Sequence, residues 1–259
     1  MDKKILIICE GVKKEPEIFE HVKHIGLLPQ DVEIVSYKTN IYKLYQFLES
    51  ESQGYPDGWD SLDLQLLLLE KAKTEKEKRI LQAEYTDTLL IFDFDPQDPS
   101  FRNHPEKAYQ QFMRLLAFFS ESTDHGKLYL SYPMIEALQH ISRLDLQAND
   151  SMSFMKLVFM PEELKKKAYK KRSENEGEES ISAYDRSLLI RLILWHLKKA
   201  QIVVYGKDST TDQLYLDNRE ASLLLQIEYD LYVKNHYGFV VSTSLFYIGE
   251  AYPQNLIRE

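Results

Sequence analysis

Cysteine and long apolar runs are scarce in this sequence, and each shortage limits what the protein can be. The 259 residues include one cysteine, Cys9, so no internal disulfide framework can form and a reducing cytoplasm is expected. No run approaches the roughly 18 apolar residues of a membrane-spanning helix. The longest candidate, residues 62–73, is interrupted by charges, so we expect no membrane segment.

Positive charge is also in short supply, because 41 Asp and Glu residues outnumber 32 Lys and Arg and give a net charge of −9. A broad basic surface for nucleic acid is therefore not expected. The negative net charge does not exclude a metal-dependent site, since bound cations would offset local carboxylates. The first residues carry lysines and a short apolar run that Glu10 closes, with no small-residue cleavage site, so they predict a strand and not a signal peptide.

Strand-like and helix-like patterns alternate over the first part of the chain, which has enough apolar residues to bury a core. Alternation of this kind predicts a mostly parallel, four-stranded α/β sheet of Rossmann-like type, flanked by helices. The strand patterns are residues 3–11, 31–37, 86–95 and 126–133. The helical patterns are residues 15–27, 41–50, 60–85, 104–122 and 134–144.

The strand pattern fades from about residue 150, and a mainly helical region is predicted there. Residues 170–180 are polar and predict a mobile loop. Residues 211–238 predict a helix that ends at Gly238 as its C-cap. In the apolar stretch 188–205, His196 is expected to be a packed histidine. We therefore expect an α/β domain over residues 1–145 and a mainly helical region over residues 146–259.

Acidic residues follow two of the predicted buried strands. Asp93 and Asp95 end one strand and Glu10 ends another, so all three are expected at the carboxyl edge of the sheet, where ligands bind. Adjacent carboxylates repel one another unless a cation lies between them, and oxygen-rich sites suit Mg²⁺ or Mn²⁺. The pattern predicts a site for one or two divalent ions that acts on a phosphate ester.

These acids also have structural and rival chemical interpretations. Asp98 before Pro99 fits a turn or an N-cap, and Glu15 favours a helix N-terminus. A haloacid-dehalogenase-type phosphatase also uses Asp-x-Asp after an apolar strand, but that mechanism leaves Glu10 without a role. A glycosyltransferase could use the pair to hold the metal of a nucleotide-sugar, although Glu10 and the preceding strand fit less well.

A short basic segment within residues 164–172 is the candidate for binding a phosphate backbone. Its alternative interpretation is a solvated helix face. The predicted substrate-binding residues are Lys165, Lys166, Lys167, Lys170, Lys171 and Arg172.

Three segments together resemble TOPRIM domains. Residues 5–19, ILIICEGVKKEPEIF, are similar to the first TOPRIM motif, and residues 91–98, IFDFDPQD, to the second. Within that superfamily the first segment resembles the RloB-like group, small bacterial TOPRIM proteins encoded beside ATPases in defence loci. Residues 130–138, LSYPMIEAL, resemble the third segment of that group through Ser131, Pro133 and Glu136. The resemblance covers about residues 1–145 and implies that they form a TOPRIM-like catalytic domain.

The resemblance implies a Mg²⁺- or Mn²⁺-dependent nuclease that cuts DNA, tRNA or another RNA. It implies that Glu10 is a general acid/base or metal ligand, that Asp93 and Asp95 hold the metal, and that Glu136 is a further ligand or orients Ser131. It also implies a role in anti-phage defence with an AAA- or ABC-type ATPase partner. The alternative function is a non-catalytic TOPRIM scaffold or sensor that docks on the ATPase. A homodimer is not excluded.

Overall fold

A computed structural model of the chain describes residues 3–53, 56–148, 155–177, 180–206 and 212–257; the side chains of residues 56, 57, 147, 148 and 166 lie outside this description. Strands and helices alternate over its first part. The elements are β1 (Ile5–Cys9), α1 (Lys14–His24), β2 (Val32–Ser36), α2 (Ile41–Glu51), a 3₁₀ helix (Pro56–Ser61), α3 (Leu64–Lys71), α4 (Glu75–Leu81), β3 (Asp87–Asp93), α5 (Pro99–Asn103), α6 (Pro105–Phe118), β4 (Ser120–Glu121), β5 (Gly126–Tyr132), a 3₁₀ helix (Ile135–Gln139) and α7 (Arg143–Ala148).

Helices predominate in the second part, as predicted. The elements are β6 (Val158–Phe159), a 3₁₀ helix (Lys165–Lys167), α8 (Ala168–Glu176), a 3₁₀ helix (Ile181–Ala183), α9 (Arg186–Tyr205), α10 (Asn218–Asp230), a π-helical turn (Leu231–Asn235), β7 (Gly238–Phe239), β8 (Val241–Ser242), α11 (Phe246–Ala251) and α12 (Gln254–Ile257). Within the described ranges, none of the helices combines the length and the apolar character that crossing a membrane requires.

The central sheet has the strand order β2-β1-β3-β5-β4, and its first four strands are parallel. Strands β1 and β5 are buried along their whole length and β3 along most of it, because helices cover both faces of the sheet. The short strands β4 and β8 both pair with β5 in the antiparallel direction. The predicted α/β class with a mostly parallel sheet is confirmed. The predicted number of four strands is wrong, because in the described part of the chain β4 and β8 extend the sheet to six.

The second part of the chain also contributes to this sheet, because β8 pairs with β5. Strands β6 and β7 form a separate antiparallel pair. Buried apolar side chains from both sides of residue 145 belong to one cluster. The carboxyl edge of the parallel strands is therefore bordered by elements from both parts of the chain.

The helix predicted over residues 60–85 is wrong in its extent, because the structure has two helices there. Helix α4 has its own capping box: the Thr74 side chain accepts the backbone N–H of Glu77, and the Glu77 carboxylate accepts the backbone N–H of Thr74. Residue Ala72, after α3, is extended. The capping signal at Thr74 interrupts an otherwise helical pattern.

Two predicted features of the second part are also corrected. Most of the loop predicted over residues 170–180 is helical, since α8 continues to Glu176; residues 178 and 179 lie outside the described part. Gly238 is not a C-cap. The helical run ends earlier, at His236, which has a left-handed φ of +61°, and Gly238 begins β7 against the ring of Phe159.

Two further predicted helices are shorter than their patterns. The pattern over residues 104–122 gives α6, which ends at Phe118. The last residues of the pattern include the short strand β4. The pattern over residues 134–144 gives a 3₁₀ helix and the start of the separate α7. The remaining strand predictions in the first part hold, with ends moved by a few residues.

Candidate functional site at the acidic edge of the sheet

Glu10 and Asp93 are neighbours at the carboxyl edge, as the parallel order predicts. The backbone N–H of Glu10 donates to the Ile91 carbonyl at 3.1 Å, so the chain stays in register just beyond β1. The backbone N–H of Asp93 then lies 3.3 Å from Oε2 of Glu10. Asp93 also pairs in register with Ser131 of β5. Glu10, Asp93 and Asp95 are called the acidic edge below.

Asp95 is held in an unusual backbone conformation just after β3. Its φ is +39°, a left-handed value that Asp adopts more readily than bulkier residues. Its N–H donates to the Pro133 carbonyl at 2.9 Å, and its own carbonyl accepts the Tyr42 hydroxyl at 3.2 Å and the Asp98 N–H at 3.0 Å. Phe94 is fully buried beside it. Conformations of this kind persist where the surroundings fix them, and they cluster at functional sites.

One carboxylate oxygen of Asp95 has no hydrogen-bond partner within the described ranges. This atom, Oδ1, is buried. Buried polar atoms are nearly always paired, so an exception of this kind needs an explanation, and an absent ion is one of them. The orphaned oxygen is consistent with a cation-binding role for Asp95.

Burial raises the pKa values of all three acids. The pKa of Glu10 is raised to about 8, first by burial and then by the charges of Asp95 and Glu15. Burial, followed by the charge of Glu10, raises the pKa of Asp93 well above its ordinary range. Burial and the charge of Asp98 raise the pKa of Asp95. Poorly solvated carboxylates that repel one another are the electrostatic arrangement that a bound cation relieves.

Glu15 belongs to the same region, although the sequence interpretation gave it only a helix-terminal role. Its side chain is almost fully buried and folds back so that Oε1 accepts the Gly11 N–H at 2.8 Å. A side chain at Gly11 would overlap the Glu15 carboxylate. Burial raises the pKa of Glu15. The spacing of Glu10, Gly11 and Glu15 is the signal that could have indicated this contact.

Asp98 is a helix cap, as its structural interpretation predicts. Its Oδ1 accepts the Ser100 N–H at 2.7 Å at the start of α5. Its Oδ2 accepts a hydrogen bond of 2.8 Å from the amide of Asn40, which itself caps α2. Asp98 thus connects the starts of two helices beneath the acidic edge.

Glu136 contacts lysines. Its Oε1 lies 3.3 Å from the Lys170 ammonium and 4.0 Å from that of Lys14. The charge of Glu136 also contributes to the raised pKa of Asp93, after burial and the charges of Glu10 and Glu15. Ser131, which Glu136 was predicted to orient, has its hydroxyl 3.0 Å from that of Ser242 in β8.

The residues of the predicted basic segment lie in different environments. Lys165, Lys167 and Lys171 are exposed, and the side chain of Lys166 is outside the described part. Arg172 donates to the carboxylates of Glu163 and Glu176 and to the Val158 carbonyl, so its charge is engaged within the fold. Among the described side chains of the segment, that of Lys170 contacts Glu136, which lies beside the acidic edge.

His196 is packed, as predicted. Its Nδ1 accepts the Ser242 N–H at 3.1 Å, and Nε2 lies 3.0 Å from the Leu138 carbonyl. These two bonds define the tautomer, with the proton on Nε2. His196 therefore links α9 to β8 and to the 3₁₀ helix that carries Glu136.

The donors of the acidic edge fit a divalent cation in kind. They are carboxylate oxygens, which Mg²⁺ and Mn²⁺ prefer, and one of them is buried without a partner. Among the residues that the structure describes, however, no three His, Cys, Asp or Glu side chains are already grouped as metal ligands. Mg²⁺ commonly binds through one or two carboxylates and retains several waters, so Asp93 and Asp95 would be enough to hold it.

The chain matches no protein-family model, no curated protein and no solved structure. A mostly parallel α/β sheet supports many unrelated functions, so the fold alone assigns none. Function has to be inferred from the acidic edge itself.

Proposed function

We propose that the protein is a TOPRIM-type nuclease of the RloB-like kind, which hydrolyses phosphodiester bonds in nucleic acid with Mg²⁺ or Mn²⁺. The observation that carries this proposal is the Asp95 carboxylate, which has a buried, unpartnered oxygen on a left-handed backbone beside Asp93 and Glu10. A phosphatase that uses the first Asp as nucleophile would leave Glu10 and its contact with Asp93 unexplained.

The three acids have separate roles in this proposal. A divalent cation bound here supplies Lewis-acid stabilisation for the charge that develops on a phosphate ester. Asp93 and Asp95 hold that cation. Glu10, whose carboxylate lies beside Asp93, acts as the general acid or base.

The proposed setting is bacterial anti-phage defence in the cytoplasm, under the control of an AAA- or ABC-type ATPase. This setting rests on the resemblance to RloB-like proteins. The second candidate function is a non-catalytic TOPRIM scaffold that docks on the ATPase. It is favoured by the absence of a preformed group of metal ligands among the described side chains.

Metal binding and cleavage measured on the same samples test the proposal. Calorimetry with Mg²⁺ and Mn²⁺ should detect binding to the native chain that is lost in Asp93→Asn/Asp95→Asn. The control is Asp31→Asn/Glu33→Gln, which removes the same charge from exposed residues remote from the carboxyl edge. Duplex DNA and tRNA are then incubated with each protein, with and without EDTA.

Three outcomes are informative. Metal-dependent cutting by the native chain and the control, but not by the Asp93/Asp95 variant, supports the nuclease and identifies the nucleic acid. Metal binding without cutting supports the scaffold or an enzyme that needs its ATPase. Absence of metal binding to the native chain returns the acids to a structural role and overturns the proposal.

A further inference from the structure

Two lysines from distant parts of the sequence meet on one buried carboxylate beside the acidic edge. Lys14 is in the first turn of α1, Lys170 is in α8, and both approach Oε1 of Glu136, at 4.0 and 3.3 Å. The Glu136 side chain is 9% exposed, whereas those of Lys14 and Lys170 are 22% and 45% exposed. The carboxylate is thus inside and the lysines are accessible from solvent.

The position of Lys170 follows from the anchoring of α8. The preceding residue, Tyr169, is fully buried, and its hydroxyl lies 3.1 Å from Nδ1 of His140. Nε2 of the same histidine lies 2.9 Å from Oε2 of Glu176, at the other end of the helix. Because both ends of α8 contact one buried histidine next to the Glu136 helix, Lys170 is directed to Glu136.

The position of Lys14 follows from the loop after β1. Gly11 and Glu15 are joined by a hydrogen bond across the start of α1, so the first turn of that helix is fixed against the acidic edge. Lys14 lies within that turn and contacts Glu136. Its neighbour Lys13 is exposed and forms no ion pair with another described residue.

This arrangement bears on how an acidic site could accept a polyanion. The three carboxylates of the acidic edge, together with that of Glu15 beside it, would repel a phosphate backbone. Cations from the protein itself are the usual contacts to such a backbone. Glu136 has an oxygen already contacted by two ammonium groups, which leaves it poorly suited to bind a metal ion as well.

We propose that Glu136 is a positioning residue, which holds Lys14 and Lys170 at the rim of the acidic edge so that their ammonium groups bind the phosphates that flank the reacting bond. The inference rests on the proposed function, because it concerns the same site. It identifies the ligand chemistry as the phosphodiester backbone and replaces the predicted metal role of Glu136.

Binding measurements without cleavage test the lysines. Fluorescence anisotropy of labelled duplex DNA and labelled tRNA is measured in EDTA at several salt concentrations, for Lys14→Gln and Lys170→Gln. Each change should weaken binding several-fold and reduce the slope of log K against log salt by about 0.7–0.9. The matched control is the exposed neighbour Lys13→Gln, for which the loss should be clearly smaller. Equal losses in test and control variants would overturn the inference.

Glu136→Gln separates positioning from metal ligation. We expect calorimetry to give the native Mg²⁺ affinity for this variant while its cleavage rate falls. We also expect Glu136→Gln/Lys170→Gln to cleave no more slowly than the worse single variant, because residues that act through one contact are not additive. A tenfold or greater loss of Mg²⁺ affinity would make Glu136 a ligand and contradict the proposal. Circular dichroism confirms that each variant is folded.

The two proposals can fail separately. If the native chain binds nucleic acid through Lys14 and Lys170 but does not cut it, the inference about the lysines stands and the proposed nuclease activity is rejected. If the chain cuts normally when both lysines are replaced, the nuclease activity stands and the inference is rejected. If the chain binds neither DNA nor tRNA, both proposals are rejected.

Discussion

Glu10 should destabilise the metal-free protein, so we expect Glu10→Gln to be more stable than the native chain in EDTA. The ionised carboxylate lies close to Asp93, in a half-buried position where burial raises its pKa from 4.5 to about 8. Glutamine has the same shape, keeps an oxygen to accept the Asp93 N–H, and carries no charge. The substitution therefore removes an electrostatic penalty without creating a cavity.

The size and sign of the effect follow from this shift of pKa. At pH 7, about 2.5 units above the ordinary pKa of 4.5, Glu10 is ionised in the unfolded chain but resists ionisation in the folded one. This difference corresponds to about 3 kcal/mol at most. Solvent contact reduces this figure, so we expect a gain of about 1–3 kcal/mol at pH 7. Because the folded pKa is raised, the penalty from Glu10 is absent below about pH 4.5 and grows as the pH rises to about 8. The advantage of glutamine should therefore shrink below about 1 kcal/mol at pH 5.

Urea unfolding in EDTA at pH 5, 7 and 8 measures this effect through the transition midpoint. Glu33→Gln, on the exposed side of β2, is the control and should change stability little at any of these pH values. With Mg²⁺ at about 100 times its dissociation constant, the free energy of unfolding of the native chain should rise by about 2.7 kcal/mol, and that of the variant by less. The difference in stability between the two proteins should therefore narrow or change sign. A variant that is no more stable than the native chain, or whose gain does not depend on pH, would refute this account of the acidic edge.

Two further predictions concern the packing around the site. Burial lowers the pKa of His196 to about 3, so stability should be lost as pH falls below 6.5, by about 2 kcal/mol at pH 5. His196→Asn, which can still accept the Ser242 N–H, should be less stable at pH 7 but less sensitive to pH; an unchanged slope in thermal unfolding would contradict this. Arg172→Lys should cost about 1–2 kcal/mol in urea unfolding because it loses the paired contacts to Glu163 and Glu176. The control, Lys171→Arg, should change the free energy of unfolding by less than about 0.5 kcal/mol. Equal losses of stability in the two variants would show that the contacts of Arg172 have no special role.

Much of the sheet was predictable because its strands have a simple pattern. Parallel strands covered on both faces need continuous apolar runs, and such runs occur at β1, β3 and β5. Parallel order also implied that Glu10 and Asp93 would meet at one edge, which is confirmed by the contact between them.

Helix ends were less predictable, because they depend on individual caps and not on periodicity. The capping box of Thr74 and Glu77 divides one helical pattern into two helices. The polar residues predicted as a loop become helical where Arg172 contacts Glu163 and Glu176, and Glu163 lies outside the pattern itself. Tertiary contacts of this kind outweigh weak local preferences.

By itself, therefore, the sequence determined the fold class and the two strand ends that carry Glu10 and Asp93, since both depend on patterns within short segments. Only the tertiary structure decided the left-handed backbone of Asp95, the return of Glu15 to Gly11, and the meeting of Lys14 and Lys170 on Glu136. The lysine contacts join α1, a 3₁₀ helix and α8, which are remote in sequence. Their geometry depends on how those elements pack together, and no local pattern encodes that packing.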